Sequence, residues 1–300
     1  QIITVGMGSP LGREVAPREA SAGIMTGLLR YVDMSSEDKS LIIACAAGAG
    51  LAAVYNSPLS AAIFTLETLL FTWNVRAMSA ALLSCGLATL VVRYAGIGDL
   101  VQYTMPQPPL YGSYQEFAIV LGAVIAIGVV LFDKTQALLP KFDRKSPKMI
   151  VVALLSFAFI GVMAMYFPEI LGNGKAGNQL TFTALVGWDY ALGLLGTKWI
   201  AVLLALMAGA YGGRITPSMM LGSTLALAFA ALWSIMVSPV HLGFAAFIGA
   251  VIFLGLAQKM PLTSCVFMLE LSRFSVEMFF PISLAMGAAL ITQQIVKARF

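Results

Sequence analysis

Apolar segments follow one another along the whole chain, at about residues 18–32, 40–54, 58–73, 77–96, 117–139, 149–167, 180–210, 216–237, 241–257, 261–272 and 278–297. Several are too short to cross about 30 Å of hydrocarbon at about 1.5 Å per residue. Short segments interrupted by Gly or Pro signal discontinuous helices whose ends meet near the bilayer midplane. Irregular backbone at that depth must be buried in protein or line an aqueous cavity, because lipid offers no hydrogen bonds. The expected fold class is therefore all-α, a polytopic membrane protein with broken helices.

Composition agrees. Hydrophobic residues make up 59% of the chain and charged residues 11%, against roughly 45–50% and 25% in a soluble domain. Apolar segments leave no polar stretch long enough for a soluble regulatory domain, so residues 1–300 read as one transmembrane domain. The net charge of +4 lies mostly in loops and at helix ends, which suits membrane orientation rather than nucleic-acid binding. Lys134, Lys141, Arg144, Lys145 and Lys148 outnumber Asp133 and Asp143 in one connection, which the positive-inside rule puts in the cytoplasm. The connection from Gly98 to Glu116 has no Lys or Arg and then faces outward; its Tyr103, Tyr111 and Tyr114 read as interfacial anchors. Cys45, Cys85 and Cys265 sit in apolar stretches and read as core packing. The sole histidine, His241, has no His, Cys or carboxylate cluster beside it, so neither a metal nor another cofactor is expected. The apolar segments hold no HExxH and no Ser/His or Asp/Asp constellation, which argues against an enzyme.

One break carries an ionisable group. In Leu11-Gly12-Arg13-Glu14-Val15-Ala16-Pro17, Glu14 stands between apolar segments at a helix start. The first turn of a helix has unpaired N–H groups and the positive end of the dipole, which together hold anions. Glu14 is thus placed to compete with a transported anion for those groups; the alternative is a carboxylate satisfied by Arg13 or Arg18.

The chain also repeats. Pro58-Leu-Ser-Ala-Ala-Ile-Phe-Thr-Leu-Glu67 recurs 203 residues later as Pro261-Leu-Thr-Ser-Cys-Val-Phe-Met-Leu-Glu270. The Gly12–Pro17 break has a partner in Gly212-Gly213-Arg214-Ile215-Thr216-Pro217, and Pro217 follows Pro17 by 200 residues. Two motif pairs at nearly one offset suggest two homologous halves, about 1–115 and 116–300, each giving one broken helix to a shared site. Glu67 and Glu270 are symmetry mates at segment ends, suited to capping or bridging. Small residues at Gly48, Gly50, Gly86, Gly249 and Gly255 suit close helix contacts, while Phe64, Phe253 and Phe267 suit packing. Glu169 reads as part of a tight loop and Ser9 as a helix-start residue.

In order, the runs LGREVAP (11–17), AAVYNSPLSAAIFTLE (52–67), FPEILGNG (167–174), GGRITPSMMLG (212–222) and KMPLTSCVFMLE (259–270) resemble the CLC family of chloride channels and chloride/proton exchangers. The resemblance implies an inverted-repeat CLC-type topology and a homodimer with one anion pathway per subunit, in the plasma membrane of a prokaryote. It implies that Glu14 is the gating glutamate. It further implies that backbone N–H groups of Arg13, Glu14 and Val15, and of Gly213, Arg214, Ile215 and Thr216, bind a dehydrated chloride or similar anion. Helix starts offer positive partial charge without a full cation that would trap the ion.

The sequence departs from the family pattern in places. Val15 and Ala16 follow Glu14, and the proline comes one position late, at Pro17; Val does not adopt φ > 0 as cheaply as Gly. Ile215 replaces the usual Phe. Arg214 either raises the local anion concentration or points away and pairs with a carboxylate. Where exchangers of the family carry an intracellular proton-feeding glutamate, this chain has Thr68, next to Glu67. Threonine does not titrate, so the sequence favours a passive, voltage- or pH-gated chloride channel, with Glu67 and Thr68 as the candidate proton route if the chain is instead an antiporter. Other family elements, an anion-coordinating serine and tyrosine, are expected upstream of Gln1 and downstream of Phe300. A chain truly lacking them would be a non-conducting scaffold.

Overall fold

The computed structural model describes residues 1–97, 101–106, 114–140, 142–143, 146–273 and 276–299. The helices run in the order α1 (Ile2–Gly6), α2 (Val15–Leu28), α3 (Ser36–Tyr55), α4 (Pro58–Phe64), α5 (Val75–Tyr94), α6 (Tyr114–Ala137), α7 (Pro147–Ala164), α8 (Lys175–Phe182), α9 (Trp188–Met207), α10 (Ile215–Met236), α11 (Leu242–Ala257), α12 (Pro261–Ser272) and α13 (Phe279–Arg299). Among the described residues there is no β-strand, only one isolated antiparallel bridge, between Gly12 and Gly213. Seven of the described helices are long and apolar enough to cross a membrane, and three apolar segments are shorter: Pro58–Leu70, Leu242–Ala257 and Pro261–Ser272. The chain is a multi-pass integral membrane protein.

Local chemistry sets most helix ends. The Ser35 hydroxyl accepts from Asp38 N (3.1 Å) at the start of α3, and the Asn74 side chain accepts from Ala77 N (2.8 Å) at the start of α5. Proline occupies the first helical position of α4, α7 and α12, where a missing N–H leaves no intrahelical bond unmade. Asn56 and Arg273 end α3 and α12 in the left-handed region. The segment expected at 180–210 divides into α8 and α9, because Ala184 turns left-handed (φ 52°) and Gly187 caps a new helix.

The chain forms two compact units. One contains α1, α6 to α11 and α13, and the other α2 to α5 and α12; the chain passes between them at Arg13–Glu14, Tyr103–Thr104, Gln258–Lys259 and Met278–Phe279. In the first unit α11 is apolar on every side and is accordingly buried from Gly243 through Leu256. It crosses α10 where Gly222 meets Gly249: a Cβ on Gly222 would lie 2.2 Å from the Gly249 carbonyl oxygen. In the second unit Gly50 lets α3 approach α2, since a Cβ there would lie 2.6 Å from the Pro17 carbonyl oxygen. Gly48 likewise faces Thr65, but Gly86 has nothing within 4 Å and makes no close helix contact.

Phe64, Phe253 and Phe267 are buried packing residues, and Cys45, Cys85 and Cys265 are buried free thiols, as expected. Tyr103 is not an interfacial anchor: it is 3% exposed, and its backbone N–H donates to Leu271 O at 3.4 Å. Tyr114 packs edge-to-face on Phe244, with ring centroids 5.4 Å apart. Tyr111, Lys141, Arg144 and Lys145 lie outside the described residues.

Candidate functional site

The first unit brings Gly12 of one break to Gly213 of the other. Gly12 N–H donates to Gly213 O at 2.6 Å, and Gly213 N–H donates to Gly12 O at 3.0 Å. This reciprocal pair needs glycine beside it, because a Cβ on Gly212 would lie 2.6 Å from Leu11 Cβ. It also uses the Gly213 amide, one of the amides expected to bind the anion; Arg214, Ile215 and Thr216 follow it at the start of α10. Ile215 and Thr216 are buried, at 5% and 1% exposure. Their N–H groups belong to the first turn, which the helix itself leaves to other partners. The Asn178 side chain donates to Thr216 O (3.3 Å) and accepts from the Ser223 hydroxyl (3.1 Å), tying α8 to this turn.

Arg214 pairs with an amide rather than a carboxylate. Its guanidinium donates to Gln136 Oε1 on α6 at 2.7 Å. A neutral acceptor holds the side chain in place without cancelling its charge.

In the second unit Glu14 is fully buried and occupies the N-cap position of α2 with ordinary right-handed backbone (φ −73°, ψ −20°). Its side chain makes no capping bond to its own helix. The Tyr55 hydroxyl instead donates to Glu14 Oε2 at 3.4 Å, and the Tyr55 ring is held edge-on by Phe267 with centroids 5.0 Å apart. The sequence departure here is accommodated by the helix start. Val15 is simply the first helical residue and has no positive φ, and Pro17 falls in the first turn, where a missing N–H removes no intrahelical bond. Arg13 is exposed. The Arg18 guanidinium lies over the Phe64 ring, 4.6 Å from its centroid.

Glu67 and Glu270 exchange caps. Glu67, in the π-helical turn that continues α4, accepts from Leu262 N (3.0 Å), Thr263 N (2.8 Å) and Thr263 Oγ1 (2.6 Å) at the start of α12. Glu270 on α12 accepts from Leu59 N (3.1 Å), Ser60 N (2.8 Å) and Ser60 Oγ (2.6 Å) at the start of α4. Each carboxylate serves the other helix's first turn, the favoured place for negative charge. Of the two expected capping or bridging roles, the geometry supports both at once. Thr68, beside Glu67, has a buried Oγ1 with no partner among the described residues.

Lys198 was not singled out by sequence reasoning, although a lone Lys within an apolar helix is the signal that finds such a residue. It is fully buried on α9, and its Nζ donates to Ile170 O (2.8 Å) and Gly172 O (3.0 Å). Gly172 N–H in turn donates to Gly8 O at 3.1 Å, so the FPEILGNG loop is tied to the segment leading into Gly12. Glu169 belongs to that tight loop and accepts from the Tyr190 hydroxyl at 2.9 Å. Ser9 is not at a helix start: it lies in the turn after α1, 2% exposed, with its Oγ unpartnered.

An all-α membrane chain whose two Gly-rich breaks pair through their backbones, with a buried carboxylate two residues beyond one of them, defines a broken-helix membrane protein of the CLC type. A family profile described as "Voltage gated chloride channel" matches residues 1–294, and the chain belongs to that family. The H(+)/Cl(-) exchange transporter ClcA of Vibrio vulnificus (strain YJ016) is 26% identical over 311 residues, covering 97% of this chain and 64% of that protein. A putative chloride channel protein, ClcB-like, from Ralstonia nicotianae is 26% identical over 305 residues, covering 97% of this chain and 69% of that protein. The chain thus spans about 64% of the length of the ClcA relative. Among solved structures, a slow cyanobacterial Cl-/H+ antiporter superposes with a TM-score of 0.81 at 19% identity, over 98% of this chain and 73% of that one. A CLC-type fluoride/proton antiporter gives 0.70 at 20% identity, over 96% and 71%. The fold is the inverted-repeat CLC fold.

Proposed function

We propose that this chain is the transport domain of a proton-coupled anion exchanger, moving chloride or a similar small anion across a prokaryotic plasma membrane, with Glu14 as gate and proton-carrying group. The observation that carries this reading is the burial of the Glu14 carboxylate at the start of α2 with a hydroxyl donor, Tyr55, on it. A carboxylate there competes with an anion for the same donors when ionised and yields to it when protonated. The relative named as an H(+)/Cl(-) exchange transporter and the two antiporter structures favour coupling over the passive channel that Thr68 suggested. The amides of Arg13, Glu14 and Val15, and of Arg214, Ile215 and Thr216, are the proposed anion donors. The working unit would be a homodimer.

Passive conduction is the second reading, and one feature favours it. Glu67 is engaged by three donors at the start of α12 and Thr68 does not titrate, so neither supplies a free acid for a proton route. Paired chloride and proton flux on the full-length protein in liposomes separates the two. Uphill proton movement driven by a chloride gradient, abolished in Glu14→Gln, is the expected result. Sustained chloride flux without proton movement overturns coupling, and unchanged flux and pH response in both Glu14→Gln and Glu14→Ala overturns the gate.

A further inference from the structure

The break between α3 and α4, Tyr55-Asn56-Ser57, holds hydrogen-bond donors that nothing among the described residues accepts. Asn56 is 3% exposed and Ser57 fully buried, yet Asn56 Nδ2 and Ser57 Oγ have no partner. The amide orientation follows from chemistry: Arg93 Nε donates to the Asn56 side chain at 2.7 Å, and a guanidinium donates only, so the oxygen must face Arg93 and the NH2 group must face away. The Ser57 hydroxyl is idle for an equally definite reason. Ser57 is the N-cap of α4, but the first-turn amides of Leu59 and Ser60 are already taken by Glu270, so its side chain makes no capping bond.

Two adjacent buried donors without acceptors are costly unless something from outside supplies the acceptor. The surroundings favour a negative one. The exposed Arg93 has no carboxylate partner among the described residues, and Arg273 donates to the Asn56 backbone oxygen at 3.5 Å. The carboxylate at α4's first turn, Glu270, already accepts from Leu59 N, Ser60 N and Ser60 Oγ. The preceding residue, Tyr55, carries the hydroxyl that touches Glu14.

We propose that Asn56 Nδ2 and Ser57 Oγ, with Arg93 bonded to the other edge of the Asn56 amide, form a subsite for a small inorganic anion, one residue along the chain from the tyrosine that touches the gate carboxylate, where the ion waits before it displaces Glu14. This deepens the transport reading and rests on it for the last clause alone; the binding of an anion there does not require transport.

Bromide is the probe. Crystals of the full-length protein soaked in bromide should show an anomalous peak within hydrogen-bond distance of Asn56 Nδ2 and Ser57 Oγ, and Asn56→Asp, which keeps the Arg93 bond but replaces the donor by an acceptor, should abolish it. In liposomes the half-saturating external anion concentration should rise about tenfold in Asn56→Asp, the effect of losing one hydrogen bond to a charged group, while the maximal rate is retained. Arg93→Gln should raise it at low ionic strength and lose that effect in high salt. Ser57→Ala, which leaves the Arg93–Asn56 bond untouched, carries the test if Asn56→Asp fails to fold. Flux in the wild type with no bromide peak and unmoved half-saturation in these variants overturns the subsite and leaves water as its occupant. If the wild type carries no flux, the peak alone decides: present, the subsite stands and the transport reading falls; absent, the subsite falls too.

Discussion

Replacing Glu67 or Glu270 by alanine strands two first-turn amides and a hydroxyl on the opposite helix, and the reciprocal arrangement makes the two losses comparable. The bonds match closely: 3.0, 2.8 and 2.6 Å onto α12 from Glu67, and 3.1, 2.8 and 2.6 Å onto α4 from Glu270. Removing a helix cap costs about 0.5–2 kcal/mol, and a hydrogen bond to a charged group contributes about 1.5–3 kcal/mol. The terms overlap because the same carboxylate makes all three bonds, so each alanine variant should lose about 2–4 kcal/mol. Glu67→Gln and Glu270→Gln should lose less, since an amide oxygen still accepts but brings no charge to the helix start. The double variant should lose less than the sum, because both carboxylates hold one α4–α12 contact. Denaturant titration of the purified protein in detergent reads these values. Losses within about 0.5 kcal/mol of zero, the range of ordinary surface substitutions, or a loss in one variant alone, would refute the exchanged caps. Glu67→Gln also tests the site, since a proton carrier would lose coupling with stability intact, whereas a cap loses stability first.

Other positions give equally direct tests. Gly249→Ala would put a Cβ 2.3 Å from Ala226 Cβ, so it should lower stability by about 1–3 kcal/mol through overpacking; Gly86→Ala, with open space around it, should be neutral or gain up to about 1 kcal/mol, and thermal melts compare the two. Lys198→Met removes the donor to the Ile170 and Gly172 carbonyls and should raise amide hydrogen exchange around Gly172–Gly174 while leaving α11 protected. His241 caps α11 by accepting from Phe244 N at Nδ1 (3.2 Å), which requires that nitrogen unprotonated, and burial pushes its pKa below the ordinary value. The unfolded chain therefore takes up the proton first, so this contribution is complete above about pH 6.5 and is lost as the pH falls from there toward the folded-state value. His241→Asn, which keeps an N-cap acceptor, should flatten that part of the stability profile.

Much of the molecule was legible in the residues. Apolar runs that begin at Pro58 and Pro261 foretold helix starts, because proline at the first helical position acts locally and needs no tertiary partner. The repeat identified Glu67 with Glu270 and the Gly12 break with the Gly213 break. Repetition names equivalent positions, however, and does not say which of them touch: that each glutamate serves the other's helix, and that Gly12 and Gly213 bond to each other, depends on how distant segments pack. Gly50 and Gly86 look alike in sequence and differ only in whether another backbone lies within 4 Å. The unused donors of Asn56 and Ser57 are furthest from view. Asn-Ser before a proline reads as an ordinary helix cap, and only the arrival of Glu270 from 210 residues away at Ser60 takes the amides that Ser57 would have bonded. Local propensity and periodicity therefore determined the helices, while the tertiary structure decided which polar groups are spent on the fold and which are not, because a hydrogen-bond donor is satisfied by whichever acceptor reaches it in space.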